Sequence, residues 1–223
     1  MFTIFRGGPN GAWRTTLIEP VKGEGLASVP ALSASQSSSI APPLTAWQLA
    51  GVASHVRYVE RAEKEQLSAV QAPLGRREAT VAALIPIRKS AAWWELTQEA
   101  RREIFEAKSR HIAASLSYLP AVARQLYHCR DLGEPFDFLT WFEYAPEHAA
   151  LFEQLVATLR STEEWSFVER EVDIVWCGRI ESRSCSTKAT RSNFEETPRL
   201  DLREMIDRPV VDIGPGVADA AGH

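Results

Sequence analysis

Between residues 79 and 176 the spacing of apolar residues switches between the two of a strand and the three-to-four of a helix, and the order of those switches restricts the fold more than any other feature. "ATVAALIPIRK" (79–89) is almost unbroken apolar sequence, which predicts a strand buried on both faces. From residue 91, "AAWWELTQEARREIFEAKSRHIAASLSY" reads as one helix, because Ile104, Phe105, Lys108, His111, Ile112, Ser115, Leu116 and Leu119 recur at helical steps. Pro120 ends it, since its ring cannot continue the hydrogen-bond ladder and restricts the residue before it. "AVARQLYHCR" then alternates with period two, Asp131-Leu132-Gly133 supplies a turn, and "FDFLTWFEY" is an aromatic-rich strand. "APEHAALFEQLVATLR" is a second helix, with Pro146 in its first turn, Glu147 near the positive end of its dipole and a buried stripe of Leu151, Phe152, Leu155, Val156 and Leu159. "SFVEREVDIVW" closes the unit as a strand. The order is βαββαβ, the ferredoxin-like arrangement of an α+β fold. Its helices cover one face of the sheet, so the N-terminal strands or a partner subunit must cover the other.

Three regions follow: 1–78, 79–176 and 177–223. Residues 1–22 alternate loosely and predict one or two strands, and Trp47–Tyr58 another, followed by a charged helix near Ala62–Ala69 and a turn at "PLGR" (73–76). The Ser-, Pro- and Ala-rich stretch 27–44 reads as a loop or connector. Residues 177–223 are polar, aperiodic and punctuated by Pro and Gly, which predicts a largely irregular tail with one short helix near 199–206. No internal repeat stands out.

At 223 residues, 45% hydrophobic and 24% charged, the chain has the composition of a soluble globular protein able to bury a core. A net charge of −4 gives no support to a nucleic-acid or anionic-membrane partner. Cys129, Cys177 and Cys185 have no metal-site spacing and fit a reducing compartment. No apolar run approaches the ~20 residues that span a bilayer. The N-terminus lacks the basic-then-apolar pattern of a signal peptide, so a cytoplasmic location is expected.

The candidate chemistry lies on either side of the Pro120 hinge. Arg124 shares a strand face with Val122 and Leu126. If that face is interior, the guanidinium needs an anionic or hydrogen-bonding partner, because an unpaired buried charge costs several kcal/mol or more. An exposed arginine paired with a surface carboxylate fits the same pattern. His111 falls on the helix face that meets the sheet, where a packed core histidine is the commoner outcome and a ligand the sharper one. Lys89 at the end of the first strand and Glu164 after the second helix can reach that space, or can be surface charges at element ends. A carboxylate taking the proton of one imidazole nitrogen would leave the other as a more basic metal ligand. His55, His128, His148 and His223 share no zinc-like spacing, and there is no GxGxxG, P-loop or GxSxG motif.

The segments "AALIPIRKSAAWWELT", "SRHIAASLSYLPAVARQLYHCRDLGEPFDFLTWFEYAPEHAALFEQL" and "TEEWSFVEREVDI" closely resemble the chlorite dismutase family in its short, dimeric form, with likeness running from about residue 45 to 174. The resemblance implies a dimeric α+β barrel with haem b between helix and sheet, His111 of "SRHIAAS" as proximal iron ligand and Arg124 of "YLPAVAR" as distal catalytic residue. It implies that Glu164 of "TEEW" is hydrogen-bonded to the proximal histidine, with Lys89 of "IPIRK" its companion. Trp93 and Trp94 match a tryptophan pair near the haem, Ile87 is expected to contact the cofactor, and Trp141 matches a core aromatic. The implied activity converts chlorite to chloride and dioxygen. The related coproheme decarboxylases resemble one another in carrying a tyrosine where this chain has Ile85 and commonly glutamine at the position of Arg124, which speaks against that reaction here. A peroxidase-like enzyme on the same fold and a non-catalytic haem-sensing dimer are the rival readings. The tail beyond the last strand has no counterpart in the family pattern.

Overall fold

The period-two segments form strands, and those strands close on themselves. The structure, a computed structural model, describes residues 1–43, 45–53 and 58–179. The strands are β1 (Phe2–Gly8), β2 (Trp13–Lys22), β3 (Ala31–Ser37), β4 (Trp47–Ala53), β5 (Val81–Lys89), β6 (Ala123–His128), β7 (Phe138–Tyr144) and β8 (Val168–Arg179). They form a closed antiparallel barrel in the order β1-β3-β2-β8-β5-β7-β6-β4. Closure removes the free edges that an open sheet of this size would present.

Two halves are visible in that order. The N-terminal four strands run β4-β1-β3-β2 and the C-terminal four run β8-β5-β7-β6, so each half places its own strands in the order fourth, first, third, second. Alternation assigns the two faces. Phe5, Trp47, Leu49, Leu84, Tyr127, Trp141, Ile174 and Trp176 point inward and fill the barrel. The Trp141 ring packs against Phe5 at 5.5 Å and Trp176 at 5.6 Å between centroids. On the outer face of the C-terminal half, Ala83, Ile85, Phe142 and Tyr144 meet Phe152, Leu155, Val156 and Leu159 of the long helix Ala149–Arg160. This second apolar layer creates a covered space outside the barrel.

Several expectations change. The connector at 27–44 contains β3, which pairs with β1 from Phe2↔Ser37 to Gly8↔Ala31. Its apolar signal is weak because Leu32 is buried in the barrel while Ala34, Ser35 and Gln36 are exposed. The strand expected over Trp47–Tyr58 stops at Ala53 within the described residues, and Tyr58 has a left-handed backbone, φ 59°. The charged helix is α1, Arg61–Val70.

The single helix expected from residue 91 is four pieces: α2 (Ala91–Glu95), α3 (Gln98–Arg102), a π-helical turn (Glu103–Lys108) and α4 (His111–Leu116). The Thr97 hydroxyl accepts from Ala100 N–H and caps α3. Arg110 adopts φ 51°, ψ 36°, which breaks the ladder before His111. The Glu106 carboxylate then accepts from the N–H groups of Ile112 (2.7 Å) and Ala113 (3.2 Å), so the new helix end is satisfied from the preceding turn. The second helix, α5, is Ala149–Arg160, preceded by a 3-10 turn at Pro146–His148. Of its expected stripe, Leu151 is 37% exposed and does not belong to the core. The tail helix near 199–206 lies outside the described residues. Among the described residues no helix is long and apolar enough to cross a membrane.

Candidate functional site

The covered space between the sheet and its helices is a cavity with about 1010 Å³ of atom-free volume, part of it open to solvent. Period two selects its sheet wall: Ile85, Ile87 and Lys89 from β5, Arg124, Leu126 and His128 from β6, and Phe138, Thr140 and Phe142 from β7. Phe105 of the π-helical turn, His111, Ile112 and Ser115 of α4, and Leu155, Val156 and Leu159 of α5 form the facing wall. Tyr58, Trp93, Glu164 and Trp165 complete the lining. Most of these groups are apolar, so the few polar ones stand out.

Three of them are joined in a row. His111 Nδ1 lies 2.7 Å from Glu164 Oε2, and Glu164 Oε1 accepts from Lys89 Nζ at 2.7 Å. Lys89 and Glu164 are each 5% exposed, and the carboxylate keeps its charge because both partners face it. Burial works to raise the Glu164 carboxyl, but the Lys89 charge and the hydrogen bonds from His111 and Lys89 outweigh it and hold it below the ordinary carboxylate value. Lys89 Nζ also donates to Glu164 O at 3.2 Å and sits 4.8 Å from the centre of the Trp93 ring. The Ser109 hydroxyl accepts from Glu164 N–H at 3.0 Å, tying the 3-10 turn Glu163–Phe167 to the start of α4. A carboxylate at Nδ1 fixes the proton there and leaves Nε2 as the lone-pair nitrogen. The imidazole orientation is set further by Phe105, stacked on it at 4.4 Å.

Arg124 is the opposite case. It stands on the sheet wall, and its Nε is buried with no hydrogen-bond partner among the described residues. Burial pushes its guanidinium down from the ordinary arginine value, because no carboxylate among the described residues compensates for the lost water. Two further buried donors, Tyr58 Oη and Trp93 Nε1, also line the cavity and also lack a partner there. A mostly apolar cavity with three unsatisfied donors suits a large, flat, apolar ligand carrying negative charge at its margins.

The structure thus brings together Lys89, His111, Glu164, Arg124, Trp93 and Ile87 around one space. Trp94 is not in the lining. Its indole donates to Asp137 at 3.3 Å, stacks on Phe138 and lies 4.0 Å beneath the Arg130 guanidinium. Adjacent helical residues point about 100° apart, so one of the two tryptophans had to face elsewhere. Tyr58, Phe105 and His128 were not anticipated. His128 was within reach of the pattern, four residues from Arg124 on the same strand face. Among the described residues no three His, Cys, Asp or Glu side chains cluster as a metal cage. A single imidazole is the protein ligand set of a macrocycle-bound iron.

Comparison with known proteins agrees with the geometry. A family model for chlorite dismutase matches residues 34–180. Over 60 residues the chain is 42% identical to the chlorite dismutase of Ideonella dechloratans, a stretch that is 27% of this chain and spans only 20% of that relative's length. The fold is similar to the crystal structure of dimeric chlorite dismutase from Nitrobacter winogradskyi, with 66% identity and a TM-score of 0.75, covering 79% of this chain and 99% of that one. It is also similar to a tryptophan variant of chlorite dismutase from Candidatus Nitrospira defluvii in complex with cyanide, at 30% identity and a TM-score of 0.51, covering 67% of this chain and 56% of that one. With the family model matching most of its length and 66% identity across nearly all of one solved member, this chain belongs to the chlorite dismutase family.

Proposed function

We propose that this chain is a haem b-dependent chlorite dismutase that converts chlorite to chloride and dioxygen, with His111 as the iron ligand and Arg124 as the catalytic residue on the other wall. The observation that carries the reading is the pairing of one imidazole, fixed through Nδ1, with an arginine on the facing wall whose buried Nε has no partner among the described residues. β5–β8, with α4 and α5 as crossovers, is read as a ferredoxin-like haem-binding unit, completed by β1–β4. A homodimer follows from likeness to the dimeric Nitrobacter winogradskyi protein.

Haem b, when bound, supplies the redox chemistry at iron. The protein supplies everything else. His111 offers Nε2 as ligand, and Glu164 holds the Nδ1 proton, which makes the imidazole a stronger donor. Lys89 keeps Glu164 ionised and in place. Tyr58 Oη and Trp93 Nε1 are suited to the carboxylates at the margin of the macrocycle. Ile85, Ile87, Leu126 and Phe142 exclude water, which strengthens every charge interaction inside. Arg124 provides a fixed positive charge for a small anionic substrate and for the anion that leaves it, stabilisation prepared before the reaction begins. Ile85 puts an aliphatic side chain where the related decarboxylases carry tyrosine, so no oxidisable phenol stands at that point of the wall.

The test is oxygen release from chlorite by the haem-loaded protein beside Arg124→Ala. The variant should take up haem normally while kcat/KM falls roughly 10- to 100-fold, the ~1.5–3 kcal/mol of a hydrogen bond to a charged group. It should also inactivate sooner. Undiminished, long-lived turnover would remove Arg124 from the mechanism, and no oxygen from the parent protein would remove the function.

A further inference from the structure

β5 ends on Lys89, the member of the buried row farthest from His111, and the ladder to β7 stops short of it. The last paired residues there are Ile87 and Phe138, so the Lys89 N–H lies beyond the ladder on that side. On the other side the register with β8 shifts between Arg88 and Lys89. A register shift re-aims the side chain that follows it, as β-bulges do beside active sites. At this point a side chain takes the place of a strand partner. Asp137 Oδ2 accepts from Lys89 N–H at 2.7 Å and from Trp94 Nε1 at 3.3 Å. Asp137 is 4% exposed and is itself held: Arg130 Nη1 donates to Oδ1 at 3.2 Å, and Asp137 N–H donates to Ile87 O at 2.8 Å. One carboxylate oxygen thus joins the backbone of Lys89 to α2, the helix that carries Trp93, whose ring centre lies 4.8 Å from the Lys89 ammonium.

We propose that Asp137 is a positioning residue for the row Lys89–Glu164–His111. By holding the Lys89 backbone at the register shift it aims the ammonium at Glu164, and so sets how strongly His111 donates through Nε2. The proposal rests on the reading of His111 as the iron ligand of a haem site. The Lys89 Nζ to Glu164 Oε1 contact is 2.7 Å between two groups that are each 5% exposed, so burial leaves little solvent to take over if that distance opens. A carboxylate that loses its cation in such a place gives up charge or moves, and either change weakens its hold on the Nδ1 proton.

The iron–histidine stretching frequency of the reduced, haem-loaded full chain, read by resonance Raman, reports that donation and does not follow a general loss of stability. Glu164→Gln should lower it. Asp137→Ala should lower it by roughly half as much and weaken haem binding roughly three- to tenfold, less than the ~10–100-fold typical of a group that touches the ligand directly. Asp137→Asn, which keeps an oxygen for the Lys89 N–H, should shift the frequency in the same direction and by less. In a Lys89→Met background Asp137→Ala should add no shift, because no ammonium remains to be aimed. Trp94→Phe, which removes the other donor to the same oxygen, should leave the frequency at the parent's value. The positioning role would be overturned by an unshifted Asp137→Ala protein, or by an unshifted Asp137→Asn protein where only that variant folds. It would be overturned equally by a full shift in the Lys89→Met background or by the same shift from Trp94→Phe, and each of these results would leave the haem site standing. A parent protein that takes up no haem, or whose frequency ignores Glu164→Gln, would overturn the site reading and this proposal with it.

Discussion

The two halves of the barrel share a strand order and differ in what covers them. In β1–β4 the outer face carries exposed polar groups that pair with one another, as Arg6 does with Gln48 and Ser35, although Ile4 and Ala50 on that face are buried. In β5–β8 the outer face lies under α4 and α5, and its polar groups include a buried row, Lys89–Glu164–His111, and an arginine whose Nε has no partner among the described residues. The same sheet thus serves as a shell on one side and as a floor on the other. Strand topology alone does not make the site. The helices make it, by excluding water from one outer face.

The buried row gives the largest test of that difference. Lys89→Ala would leave the Glu164 carboxylate buried with His111 alone, and removing one member of a buried pair costs about 3–5 kcal/mol. The apoprotein's denaturant midpoint should fall accordingly. Lys89→Met combined with Glu164→Gln should recover much of the loss, because no uncompensated charge remains. A loss under ~1 kcal/mol for Lys89→Ala would mean that water reaches the row and that the two outer faces are less different than their burial indicates.

The sequence makes the C-terminal half legible for the same reason. A strand buried on both faces, such as β5, and a helix with a covered stripe, such as α5, write their periods in apolar residues. β3 could not be read, because one covered side amounting to little more than Leu32 gives no period. The break at Arg110 was hidden for another reason. The spacing of Ile104, Lys108, His111 and Ser115 continues through it, while the contact that satisfies the break, Glu106 capping α4, leaves no mark in that spacing. Of the candidate site, Arg124 and His111 stood out by pattern, and their roles came from the family resemblance. Tyr58 lies between elements, where no period applies, and Phe105 lies in a π-helical turn whose spacing does not differ from that of a plain helix.

A smaller effect probes the inner layer, which the two halves share. Gly7 on β1 faces the barrel, and a methyl group there would stand 2.6 Å from Trp47 Nε1 and closer still to its ring carbons. Trp47 cannot swing away freely, since it is buried and its Nε1 donates to Ala27 O at 3.0 Å. Gly7→Ala should therefore destabilise by about 1–3 kcal/mol, the usual cost of overpacking. Haem affinity, measured by titration, should stay within about twofold of the parent, because the cavity is on the other side of the sheet and in the other half. A proportionate fall in haem affinity would show that the halves communicate through the barrel interior.

The smallest effect is the most direct comparison, because it sets one arginine against another. Arg6 and Arg124 both stand on outer faces of barrel strands amid alternating sequence, and the pattern gives them the same description. Arg6 Nε donates to Gln48 Oε1 and Nη1 to Ser35 Oγ, both at 2.9 Å, and water competes for every one of these groups. Exchanging such bonds for bonds to water changes little, so Arg6→Ala should alter the denaturant midpoint by no more than about 0.5 kcal/mol and leave oxygen release unaltered. Arg124→Ala should also cost the apoprotein little, for the opposite reason: its Nε has no bond to lose, and burying the charge is itself unfavourable. Two arginines with near-zero effects on folding would then part entirely in catalysis. If Arg6→Ala were the one that slowed turnover, the open half would be part of the site, and the division of labour between shell and floor would be wrong.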